Sequence, residues 1–312
     1  MTTLDVSVSA AGPARPPVRP VRSAAERRLI LKGLLFAAPA MVLMVAIYGL
    51  PLVMLGGFSL TDYQLGAIDW SFVGLANFTR AFHDPVFLRA MANTALYAAI
   101  VIPCGVFGAL GIALLVHGRR RSRALWETAY FLPVTATLVA MATVWQFLLH
   151  PTLGPVNAAI KALGFEPVSF LGTPALLIPT MALIGVWQIL GFNMVLFLAG
   201  LTAIPKDLTE AARMDGAKSP VDRFLTVTWP MLGPTTMFVV VTSSITAFKV
   251  FETVAVLTKG RSGSETLLYE LYLEGFDYSN TGYAAALTLI FLAIVLVLSI
   301  GQTLRMERKV HY

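Results

Sequence analysis

Long runs of apolar residues alternate with polar segments along most of the 312-residue chain. A helix needs about 20 mostly apolar residues to cross the roughly 30 Å hydrocarbon core of a bilayer. Six runs meet this requirement. Their limits are 33–58, 93–116, 128–149, 176–201, 235–258 and 283–304. The pattern therefore predicts an all-α integral membrane protein with six transmembrane helices.

The composition supports a membrane protein. Hydrophobic residues make up 57% of the chain and charged residues only 13%, whereas a soluble domain contains about 25% charged residues. The formal net charge of +6 could indicate a nucleic-acid partner. However, the basic residues lie between the apolar segments, which is typical of signals that set membrane topology. We expect contact with membrane lipid and no nucleic-acid partner.

The distribution of Lys and Arg predicts the orientation of the helices. With both termini in the cytoplasm, 17 of the 23 basic residues lie on the inner side and five on the outer side, and Lys249 lies within a span. Positive charge resists translocation, so this arrangement is favoured, and it requires an even number of spans. Residues 1–28, rich in Pro, Ala and Arg, predict a disordered cytoplasmic tail. Residues 29–312 then form the membrane domain.

The segment EAARMDGAKS at 210–219 lies in a polar loop of about 202–230, between the fourth and fifth predicted spans. Asp207 and Glu210 have the spacing of a capping pair at the start of a helix. Gly216 is placed to end that helix in a left-handed turn. The loop is therefore expected to contain a short helix of its own.

One face of this short helix is suited to contact with another protein. Leu208, Ala211 and Ala212 recur at helical spacing, so they share a face. Ser219 and Asp222 repeat the capping pattern and predict a second short helix. Connections between helices are mostly short, so the length of this loop favours a docking role. An ordinary interhelical loop is the alternative.

Several motifs resemble one transporter family. EAARMDGA followed by VTWP at 227–230 resembles the EAA signature of the inner-membrane permease subunits of ABC importers. Six further segments are similar, in the same order, to the carbohydrate group of that family, which includes maltose-type and glycerol-3-phosphate-type subunits. They are FVGLANF (72–78), NTALY (93–97), FLPVTATLVAMATVW (131–145), GPVN (154–157), FKVFETVAVLTKG (248–260) and ETLLYELYLEGF (265–276).

This resemblance implies a non-catalytic permease subunit in a bacterial or archaeal cytoplasmic membrane. It implies four partners: a second homologous permease, two ATP-binding cassette subunits and an extracytoplasmic solute-binding protein. The chain lacks a GxxxxGK[ST] phosphate loop, so we expect ATP and Mg²⁺ on the cassette subunits and no cofactor here. The residues implied in coupling to the ATPase are Leu208, Glu210, Ala211, Ala212, Met214, Asp215 and Gly216.

Polar and aromatic residues within the spans are candidates for contact with a transported solute. Lys249 and Glu252 are three residues apart, which predicts one helical face. They form either a local ion pair or the outer mouth of a pathway. Amides and aromatic faces suit a sugar, and interhelical hydrogen bonding is the alternative role for the amides. The candidates are Trp145, Gln188, Asn193, Phe248, Lys249, Phe251 and Glu252.

The expected function is import of a sugar or oligosaccharide. Glycerol-3-phosphate or a related phosphodiester is the nearest alternative, although an anion is expected to recruit Arg or Lys. An ion-coupled carrier acting alone and a membrane scaffold are alternatives of other classes. The scarcity of acidic residues within the spans disfavours the carrier. The histidines are scattered over loops and the C-terminal tail, so no metal site is predicted. They are His83, His117, His150 and His311.

Overall fold

The computed structural model describes residues 24–119 and 121–307. Residues 1–23 of the predicted tail lie outside the described residues, as does His311. The last five residues of the tail, 24–28, belong to the first helix. The chain divides after Met54 into two compact units. The first unit contains α1 (Ala24–Met44), a π-helical turn (Val45–Gly49) and the beginning of α2 (Leu50–Ser59).

The second unit is also helical. Its described residues contain one isolated β-bridge, between Thr61 and Phe72, and no strand. The helices from α3 to α8 are Ala76–His83, Pro85–His117, Arg123–Thr135, Leu138–Leu148, Pro155–Ala162 and Pro174–Ala203. Those from α9 to α15 are Lys206–Met214, Pro220–Arg223, Trp229–Met231, Gly233–Phe248, Glu252–Leu257, Leu267–Tyr272 and Thr281–Glu307. The short π and 3₁₀ segments are Phe224–Thr228, Arg261–Gly263 and Leu273–Asp277.

Five helical segments are long and apolar enough to cross a membrane. They are Arg28–Ser59, Pro85–His117, Pro174–Ala203, Gly233–Leu257 and Thr281–Arg305. Each covers most of a span predicted from the sequence. The count rises to six if one bent pair of helices, α5 and α6, crosses as a single span.

The third predicted span, 128–149, is not one straight helix. The α5 and α6 helices meet at an angle of 98°. Ala136 and Thr137, between them, have extended backbone with ψ angles of 143° and 136°. Hydropathy measures how apolar a segment is and carries no information on its straightness. The prediction of a single continuous helix here is therefore wrong.

Helices α4 and α8 make the most extensive helix–helix contact of the second unit. Gly105 of α4 faces Ile189 of α8, where a Cβ would come within 2.5 Å of the isoleucine Cδ1. Gly191 of α8 faces the backbone carbonyl of Tyr130 in α5, and the gap has no room for a methyl group. Small residues let membrane helices approach closely in this way. Helices α4 and α8 both line the polar cavity described below.

Candidate functional sites

The loop between α8 and α12 contains the short helix predicted around Glu210. This helix, α9, runs over Lys206–Met214. Gly216 then adopts a φ of +99°, and the amide of Ala217 donates to the carbonyl of Ala212 at 2.9 Å. Side chains with a Cβ disfavour such a backbone conformation. The prediction that Gly216 ends the helix is confirmed.

The start of α9 differs from the prediction. Pro205 is the N-cap residue, and no described side chain caps the helix. Asp207 lies in the first turn, where a negative charge still interacts favourably with the helix dipole. The α8 helix ends at Ala203, so only two residues separate the helices and α9 begins earlier than the sequence pattern suggested. The N-cap role predicted for Asp207 is wrong.

The second short helix of the loop, α10, begins with the predicted capping box. Ser219 Oγ accepts a hydrogen bond from the amide of Asp222 at 3.0 Å. The Asp222 carboxylate accepts one from the amide of Ser219 at 3.1 Å. Hydrogen bonds from the Ser219 hydroxyl, and next from its amide, to the Asp222 carboxylate favour the charged form, so they hold the pKa of Asp222 below its ordinary value. The pair fixes how the chain enters α10.

The two halves of the loop enclose an open hollow of about 770 Å³. From the α9 side it is lined by Leu208, Ala211, Ala212, Asp215 and Gly216. The facing wall is formed by Asp222, Thr226, Val227, Pro230 and Met231, with Ala217 at the turn. Spacing along α9 therefore predicted the shared face correctly. Glu210 and Met214 are exposed outside the lining, and 89% of the Met214 surface is accessible.

A separate cavity of about 230 Å³ lies among α4, α8 and the junction of α12 with α13. It brings together three of the candidate pathway residues, Gln188, Lys249 and Glu252. Tyr97, Thr246 and Thr253 add hydroxyl groups. The remaining wall is formed by Val101, Leu138, Gly185, Ile189, Ile245, Ala247 and Val250. Convergent polar groups in a mostly apolar wall are typical of a small-molecule site.

The cavity lies at a break in the fifth predicted span. Helix α12 ends at Phe248 and α13 begins at Glu252, and Phe251 has a φ of −137° and a ψ of −60°. The prediction that Lys249 and Glu252 share one helical face is therefore wrong. None of the ion pairs among the described residues joins these two side chains, so the local ion pair is wrong as well. Irregular backbone at membrane depth is tolerated where it lines a cavity.

The other four candidates lie outside this lining. Asn193 is buried between helices and donates to Ser243 Oγ at 2.9 Å. Trp145 packs edge-to-face on Trp187, with ring centroids 5.6 Å apart. Phe248 packs against the hydrophobic core. Phe251 packs on two tyrosines of the segment after α13.

Sequence reasoning missed the three hydroxyl residues of the cavity, Tyr97, Thr246 and Thr253. A weak signal was present, because Asn93, Thr94 and Tyr97 recur at helical spacing in an otherwise apolar span. Thr246 lies one helical turn before Lys249 on the same chain segment. Neither signal reveals that Tyr97 and Thr246 line the same cavity, since this depends on the packing of α4 on α12.

The sequence also matches known proteins. Residues 32–310 match the family described as the binding-protein-dependent transport system inner membrane component. The probable ABC transporter permease protein YurN of Bacillus subtilis is 33% identical over 274 residues, covering 86% of this chain and 93% of that protein. The sn-glycerol-3-phosphate transport system permease protein UgpA of Yersinia pestis is 34% identical over 248 residues, covering 77% and 82%.

A solved structure shares the fold. In a bacterial ABC transporter involved in the import of the acidic polysaccharide alginate, one chain superposes with a TM-score of 0.78. The two chains are 22% identical, and the match covers 92% of this chain and 99% of that one. The family match extends over nearly the whole chain and includes both the α9 loop and the polar cavity. The chain therefore belongs to the family of inner membrane components of binding-protein-dependent transport systems.

Proposed function

We propose that this permease forms half of the translocation path of an ATP-driven importer whose solute is a sugar or oligosaccharide. The polar cavity at the α12–α13 break carries this proposal. Its wall combines the amide of Gln188 with three hydroxyl side chains, and its one ammonium and one carboxylate give no excess of either charge. Such a wall suits an uncharged solute with many hydroxyl groups.

A second candidate solute is glycerol-3-phosphate or a related phosphodiester. The relative UgpA carries this solute in its name, and the Lys249 ammonium lines the cavity. Charge-assisted hydrogen bonds to a phosphate are roughly twice as strong as those between neutral groups. In this alternative Lys249 contacts the phosphate and Gln188 the glycerol hydroxyls.

Coupling to ATP is assigned to α9 under the same proposal. The helix seats in a cleft of one of two ATP-binding cassette subunits, with Glu210 and Met214 exposed for contact. Ala211 and Ala212 face the hollow between the two halves of the loop, and α9 moves as a rigid body when ATP closes the cassette subunits. A second permease completes the path, and a solute-binding protein docks on the outer side. Coupling requires contacts that differ between the inward- and outward-facing states.

The proposed topology has six spans, with the α5–α6 pair crossing as one bent span. Both termini and the α9 loop lie in the cytoplasm, as the bias of basic residues favours. Residues 1–28 form a cytoplasmic tail, and 29–312 form the permease domain. Cysteine substitutions at Lys161 and Lys218, probed with a membrane-impermeant thiol reagent, test the orientation. Labelling from outside is expected at 161 and not at 218, and the reverse would contradict it.

Purification and uptake together test the proposed function. Tagged chain in mild detergent is expected to bring down an ATPase with a phosphate-binding loop and a second six-span permease. Vesicles with the whole complex are expected to take up a labelled disaccharide when ATP is inside and the solute-binding protein outside. Stronger inhibition by glycerol-3-phosphate than by unlabelled disaccharide would favour the second candidate. A single chain that transports in liposomes under an ion gradient, without ATPase, would overturn both.

A further inference from the structure

Three carboxylates meet at the end of α12 opposite the α9 loop. Asp84 is the N-cap residue of α4, Glu270 lies in α14, and Glu274 lies in the π-helical segment that follows. One oxygen from each lies within 4.8 Å of the other two. Glu270 and Glu274 are only 3% and 6% exposed. Inspection of the histidines gave no indication of this cluster, because its members are acids far apart in the sequence.

One of the three carboxylates lacks a partner. The Tyr283 hydroxyl donates to Asp84 Oδ2 at 2.9 Å, and the Asn280 side-chain amide donates to Glu274 Oε2 at 2.8 Å. In contrast, Glu270 Oε2 is buried and has no hydrogen-bond partner among the described residues. Buried polar atoms are nearly always paired with protein, water or an ion. Glu270 therefore indicates that a bound species belongs at this position.

The basic residue nearest the cluster does not satisfy Glu270. The Arg80 guanidinium lies 3.8 Å from Glu274 Oε1 and also stacks over the Tyr283 ring at 3.8 Å from its centroid. The Arg80 side chain is 51% exposed, so solvent screens its charge and such a pair contributes little. Arg89, the other guanidinium that acts on Glu270, is paired with Glu265, so the ionised cluster keeps an excess of negative charge.

The environment makes an ionised Glu270 costly without a further cation. Glu270 is buried beside the carboxylates of Glu274 and Asp84. A buried charge is tolerated in proteins when it is paired or binds a metal. Carboxylate oxygens are the ligands that hard divalent cations prefer.

We propose that Asp84, Glu270 and Glu274 bind one divalent cation, with calcium preferred over magnesium. If three oxygens are at most 4.8 Å apart, an ion at their centre lies within about 2.8 Å of each, against 2.3–2.6 Å for calcium and 2.0–2.1 Å for magnesium. The upper limit of 2.8 Å is nearer the calcium distance, and magnesium is usually held by only one or two carboxylates. Water molecules complete the calcium coordination shell.

A cation at this position joins three parts of the fold. Asp84 caps α4, Glu270 and Glu274 follow the cavity-lining α13 in the sequence, and Tyr283, which contacts Asp84, lies in the first turn of α15. A bound cation would thus stabilise the segment that contains Glu270 and Glu274, next to the cavity. This segment lies at the end of the helices that is distant from α9. That this end faces the solute-binding protein rests on the proposed function, whereas the cation site itself does not.

Binding is tested on the full-length chain in detergent, stripped with EDTA, with Tb³⁺ as a luminescent substitute for calcium. Tyr283 contacts Asp84, so excitation of tyrosine is expected to sensitise Tb³⁺ luminescence. Calcium should displace Tb³⁺ at lower concentration than magnesium. The Glu270→Gln variant is expected to bind Tb³⁺ roughly 10- to 100-fold more weakly. The control Glu166→Gln removes an exposed carboxylate from the segment between α7 and α8, and it should bind as the wild type does.

Thermal unfolding gives a second measurement. Calcium that binds the folded state raises the Tm of the wild type in a saturable manner, and this rise should be absent in Glu270→Gln. Each variant is compared with its own metal-free Tm, so a general loss of stability is not mistaken for loss of the site. Equal Tb³⁺ affinity in wild type and Glu270→Gln would overturn the proposal, as would a wild-type Tm that calcium leaves unchanged. Neither result depends on transport, so this proposal and the proposed function can fail separately.

Discussion

Lys249 and Glu252 lie on opposite sides of a helix break and line the same cavity. Because no ion pair joins them among the described side chains, each is free to contact a solute. A neutral sugar can accept a hydrogen bond from the ammonium and donate one to the carboxylate. An anionic solute would use Lys249 much more strongly. Binding of glycerol-3-phosphate should therefore depend on Lys249 more strongly than binding of a sugar.

The Lys249→Gln variant separates the two solutes. Loss of a hydrogen bond to a charged group costs about 1.5–3 kcal/mol, so inhibition by glycerol-3-phosphate should weaken by roughly 10- to 100-fold. Sugar uptake should fall only a few-fold, since glutamine can still donate. The measurement is competition against labelled disaccharide in vesicles that contain the complete transporter. Lys161→Gln, on the exposed surface of α7, is the matched control. If glycerol-3-phosphate inhibits the variant as well as it inhibits wild type, Lys249 does not bind phosphate.

The α9 loop shows which features local sequence rules can predict. Gly216 and the Ser219–Asp222 pair act within one helical turn of their own position, so their geometry could be predicted without knowledge of the fold. The N-cap prediction for Asp207 failed because the end of α8 decides where α9 begins. That end is set by tertiary packing and by Pro205. The first residue of α9 thus depends on α8, which lies outside the local sequence pattern.

Breaks and long-range clusters could not be predicted in the same way. The apolar runs at 128–149 and 235–258 continue through the α5–α6 bend and the α12–α13 break, so hydropathy did not reveal either one. The carboxylates of Asp84 and Glu270 come together only when α14 packs on α4. A single sequence has no local signal for that contact.

Substitution of Gly216 tests the coupling role of α9. Its φ of +99° costs a residue with a Cβ roughly 1–2 kcal/mol, so Gly216→Asp should misplace α9. We expect uptake and solute-stimulated ATP hydrolysis to be lost, while the external protein still captures its solute. Gly118→Ala is the control, because Gly118 has a φ of −73° and open space around its Cβ position. Normal uptake in Gly216→Asp, at normal abundance in the membrane, would contradict a coupling role of α9 that depends on this turn.

The capping box predicts a pH dependence of α10. The pKa of Asp222 is lowered in the folded state, so its stabilising effect is present above its unfolded pKa of about 3.9. It is lost as the pH falls through the folded value. Amide exchange at 219–223, where Pro220 has no amide hydrogen, should therefore be constant from pH 7 to about 5 and faster below about 4 after correction for the intrinsic rate.

The Ser219→Ala variant provides the reference for this experiment. Loss of the serine cap costs about 1 kcal/mol, so exchange at 219–223 should already be several-fold faster at pH 7. The variant should also show a smaller acceleration in acid, because its Asp222 has lost the hydroxyl bond that lowers the pKa. Thr226→Ala, which removes a hydroxyl bonded only to the carbonyl of Asp222, is the control. An acid response of the same size in Ser219→Ala and wild type would contradict this account.

The bond from Asn193 to Ser243 predicts a structural role for a residue that the sequence offered as a pathway candidate. Asn193 is buried between α8 and α12 and also donates to the carbonyl of Gly105 at 3.4 Å. A double-mutant cycle of Asn193→Ala and Ser243→Ala should give a coupling energy near the 0.6 kcal/mol average for membrane helices. Pairing Asn193→Ala with Thr246→Ala, a cavity residue whose hydroxyl bonds to the carbonyl of Thr242, should give none.

Transport kinetics of Asn193→Ala distinguish the structural role from a direct contact with solute. Because Asn193 does not line the cavity, the KM for uptake should stay within about twofold of wild type. The free energy of unfolding should fall by about 1–3 kcal/mol, because the buried Ser243 hydroxyl loses its hydrogen-bond partner. Gln188→Ala, which removes an amide from the cavity wall, should raise the KM with a smaller effect on unfolding. Unfolding in mixed micelles and uptake in vesicles provide the two readings. A KM for Asn193→Ala that rises as far as that of Gln188→Ala would place Asn193 in the pathway after all.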